Sequence, residues 1–134
     1  MSAPDQHTAV TPDLPAAAAA VDKARAVVAA GVRHLAEAGG VEANQVVAYD
    51  LAHAAAAVEV ARAALDYGAR GAIEAAIACA FVADAVFDLV TKTMTREPEW
   101  GMEHGALREA GDFVRTYRDP AFYEWLFAQK KSAQ

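Results

Sequence analysis

The sequence carries one cysteine in 134 residues, so no disulfide can close within the chain. Cys79 stands among Ala78, Ala80 and Phe81 and reads as a buried, inert thiol. Basic clusters are lacking on every helix, and the net charge is −6. Phosphate neutralisation needs clustered Lys and Arg, so a nucleic-acid partner is not expected. No charged-then-apolar start marks a secretory signal. The longest apolar stretch, Ala72–Val90, is broken by Glu74, Asp84 and Asp88. Three acids are too costly for a lipid-spanning helix, so a cytoplasmic protein with no membrane segment is expected. There is no strand signal and no solenoid repeat. Glu-x-x-His is absent, which argues against a di-iron bundle, and no metal site is expected. Gly39-Gly40 lacks the context of a nucleotide-cradling loop. No Ser or Cys nucleophile has a base beside it in sequence.

What is present is alanine and helical period. Hydrophobic residues make up 55% of the chain, and alanine supplies much of that, so helices can approach closely. One domain is expected over residues 13–130, after a disordered tail at 1–12. Asp13 and Pro15 start a first helix running to about Ala38, with Val21, Ala24, Val28, Val32 and Leu35 on its buried face. Gly39-Gly40 ends it, and Asn44 is the natural cap of the second helix. In that helix Val47, Leu51, Ala54, Val58, Ala61 and Leu65 share one face. Gly68 ends it at a short loop, so the second and third helices are antiparallel neighbours.

The third helix carries Ile73, Ile77, Phe81, Val82, Val86, Leu89 and Val90 round most of its circumference. A helix apolar on so many sides is enclosed on several of them. It is expected to be the most buried element, with Phe81 enclosed. A fourth helix follows over about Ala106–Tyr117, with Leu107, Ala110, Val114 and Tyr117 on one face. Asp119-Pro120 starts a short terminal helix carrying Phe122, Trp125 and Leu126. The predicted fold is all-α: an antiparallel four-helix bundle with a short C-terminal helix.

Three polar pairs are candidates for chemistry. Asp50 and His53 share a helical face, as do His34 and Glu37. Asp84 and Asp88 lie four apart on the third helix and read as a stripe paired with Arg62 or Arg25. Trp100 reads as a core or lid residue.

Gln45-Val46-Val47-Ala48-Tyr49-Asp50-Leu51-Ala52, continuing to Ala61-Arg62-Ala63-Ala64-Leu65-Asp66-Tyr67-Gly68, resembles the helix pair of the acyl-CoA dehydrogenase C-terminal domain. Ala76–Ala85, ahead of Thr95-Arg96-Glu97, is similar to that family's next helix and loop. Phe113–Phe122 resembles the tail of some bacterial members. The likeness covers about Ala16 to Leu126. It implies a helical domain that elsewhere forms the oligomer core and walls the FAD and acyl-CoA site. The family's N-terminal helical and β-barrel domains have no counterpart in these 134 residues. The implied function is a helical subunit without independent activity, with FAD only where a partner chain completes the site and acyl-CoA as a possible ligand. The alternative is a non-enzymatic interaction or small-ligand-binding bundle. The family's catalytic base falls nearest Glu124, which comes early and lacks the Gly-Thr turn.

The last expectation is association, as a homo-oligomer or with a flavin-domain chain. Ile73, Ile77 and Phe81 form one stripe of the third helix, and Val82, Val86 and Leu89 another. One core cannot cover both, so all six are candidate interface residues. Val86→Asp is then expected to dissociate the oligomer without unfolding the subunit.

Overall fold

The computed structural model describes residues 11–120 with Phe122, Glu124, Leu126 and Ala128, excepting the Glu109 side chain. The tail expected at 1–12 falls almost wholly outside that range. The chain is all-helical, with four long helices packed together and no strand among the described residues. They are α1 (Leu14–Glu37), α3 (Gln45–Gly68), α4 (Ala72–Thr93) and α5 (Arg108–Tyr117). A one-turn α2 (Gly40–Ala43) and a 3-10 turn (Glu97–Trp100) fill two of the connections. Pro120, Phe122, Glu124, Leu126 and Ala128 are helical, where the short terminal helix is expected.

Local chemistry explains most boundaries. Asp13 Oδ1 accepts the Ala16 N–H at 2.9 Å, and Pro15 occupies the first turn. At the other end of α1 the Ala38 N–H donates to the carbonyls of His34 and Leu35. Gly39 and Gly40 follow at φ +105° and +76°, which a side chain would resist. Asn44 does not cap α3 through its side chain. Its Nδ2 instead donates to the carbonyls of Ala38 and Gly40, at 3.0 and 3.1 Å, and ties the turn between α1 and α3.

Gly68 serves a different purpose from the one its position suggests. It is buried in the last turn of α3, and its φ is not left-handed. A Cβ there would come within 2.8 Å of both the Ala78 Cβ and Leu14 Cδ2. The glycine lets α1, α3 and α4 converge at one end. At the other end Asp50 of α3 meets Arg96 beyond α4. These two contacts set α3 and α4 running in opposite directions. Leu14 near Gly68, Arg25 on Glu59 and Gly31 against Leu51 do the same for α1 and α3.

The interior runs along α4, whose Ala76, Cys79, Val82, Val86 and Leu89 are at most 1% exposed. Helix α4 is thus the most enclosed element, as its composition implies. Phe81 is an exception to that expectation, because 42% of it is exposed. The loss of several kcal/mol that follows truncation of an enclosed ring therefore does not apply to it. Val32 also points outward, and the buried face of α1 continues through Gly31 instead. Leu51 and Trp100 pack into the space above Gly31, and a Cβ would strike Leu51 at 2.7 Å.

Candidate functional site

The polar pairs separate into structural contacts. Arg96 donates from Nη1 to Asp50 Oδ2 at 3.0 Å and from Nε to Glu99 Oε2 at 3.1 Å. Asp50, then Glu99, hold this guanidinium charged and push its pKa further up. Thr95, at φ +64°, makes the turn that sends Arg96 back to α3. His53 takes no part; its exposed ring lies 4.4 Å from that of Tyr49. His34 sits in the last turn of α1, against Gly101. Among the described residues no three His, Cys, Asp or Glu side chains group as metal ligands.

Asp84 and Asp88 find partners other than Arg25 and Arg62. Arg118 Nε bonds Asp84 at 3.0 Å, and Lys92 bonds Asp88 one turn along. The Arg118 guanidinium also lies 3.7 Å over the Phe87 ring, a cation–π contact that shields one flank of α4. Arg25 and Arg62 both bind Glu59, and the Arg62 hydrogen bond is the main cause lowering that carboxyl's pKa. Glu124 lies exposed on the terminal helical segment.

Cys79 and Tyr117 lie together in the described interior. Tyr117 Oη donates to the Thr11 carbonyl at 2.7 Å, and the ring packs edge-on against Phe122 at 5.2 Å. Burial pushes the Tyr117 phenol up to about 12 and raises the Cys79 thiol as well. A raised thiol pKa disfavours the thiolate that nucleophilic chemistry needs. Beside this cluster a cleft of about 430 Å³ separates α1 from α5, with Ala16, Ala20, Lys23, Phe113 and Thr116 among its walls.

The raised phenol gives a pH signature. The folded state keeps Tyr117 protonated, so its contribution is fully present below the usual value of 10 and is lost as pH rises toward 12. Tyr117→Phe should cost about 1 kcal/mol at neutral pH, through the lost hydrogen bond. That deficit should shrink or reverse at pH ~11, where wild type bears the penalty of keeping the phenol neutral. Urea titrations of both proteins at the two pH values test this. An unchanged deficit would remove Tyr117 as the source.

Among the described residues, the outer face of the α3/α4 hairpin carries a run of exposed apolar side chains. Val46, Tyr49, His53, Ala56, Val60, Ala63 and Tyr67 recur at alternating spacings of three and four, and all are exposed. They lie on the side of α3 opposite its buried Val47, Leu51, Ala54, Val58 and Ala61. Val46, Tyr49 and Val60 are 69%, 66% and 55% exposed. The spacing is legible in the sequence, but His53 and two alanines conceal it from a search for bulky apolar residues.

Of the six candidate interface residues, the structure brings Ile77 and Phe81 to this face, 37% and 42% exposed. Ile73 is half-buried. Val82, Val86 and Leu89 point inward and pack the core of the single chain. The contacts of Gly68 with Ala78 and Asp50 with Arg96 set the hairpin register, which places Phe81 level with Ala64 and Leu65. Among the described residues no helix is long and apolar enough to cross a membrane. The chain matches no known family model, no curated protein and no solved structure.

Proposed function

We propose that the chain is a non-catalytic helical subunit that works by association through the outer face of α3 and α4. The observation that carries this reading is the exposed stripe of α3 flanked by Ile77 and Phe81. Apolar surface in one continuous patch favours a partner, because covering it removes it from water. The packing supports an antiparallel four-helix bundle, and the resemblance to the acyl-CoA dehydrogenase C-terminal domain agrees with an assembly role. On that reading any FAD site is completed by a partner chain that brings the flavin-binding domains. The inert Cys79–Tyr117 pair and the exposed Glu124 fit a subunit without chemistry of its own.

A second reading, a bundle that binds a small ligand, draws on the cleft between α1 and α5. Its walls mix alanine with the polar Asp13, Lys23, Asp112 and Thr116, and Asp112 is already paired with Arg115.

Sedimentation tests the association. The wild-type chain should sediment above its monomer mass of 14.1 kDa. Val60→Glu, on the exposed stripe, should return it to that mass with its helical circular dichroism unchanged. Wild type at the monomer mass throughout the micromolar range would overturn the reading.

A further inference from the structure

We infer that the stripe on α3 receives a second copy of itself, antiparallel, in a two-fold seam centred between Ala54 and Ala55. This rests on the association reading above and names its partner. Alternating spacings of three and four are the repeat by which two helices pack knobs into holes along a seam. On α3 that repeat is kept without a break from Val46 to Tyr67. The inner face of α3 already packs its own bundle, and the repeat on the outer face is exposed among the described residues.

Size complementarity selects the direction. An antiparallel pair sets Val46 against Ala63 of the second copy, Tyr49 against Val60, and His53 against Ala56. Each layer then joins a larger side chain to a smaller one, which fills space evenly. A parallel pair would instead stack Tyr49 on Tyr49 and Ala56 on Ala56, crowding one layer and leaving a void in the other. A closed two-fold arrangement also ends the association at two copies.

The charges beside the stripe permit this contact in a chain of net charge −6. In the antiparallel register Asp50 falls near Ala57 of the second copy, Glu59 near Ala52 and Asp66 near Gln45, so no acid opposes an acid. Asp50 is already bonded to Arg96, and Glu59 to Arg25 and Arg62. Val46, Tyr49, Val60, Tyr67, Ile77 and Phe81 are each 37–69% exposed, which leaves apolar surface for a second copy to cover.

Cysteine cross-linking reads the geometry directly. Val46 and Ala63 are both exposed, so cysteines there leave the core untouched. Within one chain they lie roughly 26 Å apart along the helix, beyond the reach of a short bis-maleimide. In the antiparallel pair the two Val46 positions are equally far apart, whereas position 46 of one copy meets position 63 of the other. The double variant Val46→Cys with Ala63→Cys should therefore give a covalent dimer as its major product. Val46→Cys alone and the wild type, whose Cys79 is buried, should stay at the monomer mass on a denaturing gel. A cross-link from Val46→Cys alone would show a parallel seam and overturn the inference. So would a chain that sediments as a dimer yet gives no cross-link, though the association reading would survive. A chain that sediments as a monomer overturns both, and leaves the stripe to a different occupant.

Discussion

Val86→Asp is expected to abolish folding of the subunit. Val86 is 1% exposed, on the inward face of α4, beside Val82 and Leu89, which are equally enclosed. The described residues offer no cation on that face: Lys92 is engaged with Asp88, and Arg118 with Asp84 and Phe87. An unpaired carboxylate there costs several kcal/mol after relaxation, on top of the packing lost with the valine. Domains of this size are stable by only about 5–15 kcal/mol, so the change consumes most or all of that margin. Thermal melts followed by circular dichroism should show a lost or strongly depressed cooperative transition, whereas Val60→Glu should melt much as wild type does. A cooperative melt for Val86→Asp within a few degrees of wild type would place Val86 outside the core. The outcome reverses the expectation drawn from composition, under which this substitution only separates subunits.

Trp100 should show the second large effect, with an instructive asymmetry. The ring is fully buried in the 3-10 turn and packs over Gly31 of α1. Its Nε1 is the one buried side-chain donor in the described structure without a hydrogen-bond partner. Trp100→Ala should lose about 3–5 kcal/mol, because the turn is pinned by this ring and the cavity left is large. Trp100→Phe should lose far less than the volume change alone implies, since it also removes an unsatisfied N–H whose burial costs about 1–3 kcal/mol. Chemical denaturation of the two variants separates the terms. Equal losses would mean that Nε1 is satisfied, for instance by an ordered water.

Much of the fold is legible in the sequence wherever one residue has a local reason. Asp13 caps α1 by bonding three residues ahead, and Gly39-Gly40 supplies the left-handed exit. The buried face of α3 is read directly from the spacing of Val47, Leu51, Ala54, Val58 and Ala61. On α4 the bulky apolar residues occur on several sides. With apolar residues all round, sequence alone could not tell inward Val86 from outward Phe81, and the choice is made by where α3 and α5 pack. Val32 faces outward for a related reason: the close approach of Leu51 and Trp100 favours Gly31 at the contact over a bulkier neighbour. The ion pairs Arg118–Asp84 and Arg96–Asp50 join positions far apart in the chain, so local spacing cannot find them. Of the candidate site, composition points to Ile77 and Phe81, while the repeat on α3 acquires meaning only once its other face is known to be occupied.

The short turn between α3 and α4 bears on the order in which the chain can fold. Their mutual contacts, the most extensive between any two described elements, link segments adjacent in sequence and need little loop closure. The clasp between Tyr117 and Thr11 instead spans 106 positions and must wait for both ends. Contacts of short sequence separation form fast, and distant ones set the pace. The hairpin that bears the exposed stripe is therefore the part whose formation depends least on the rest of the chain.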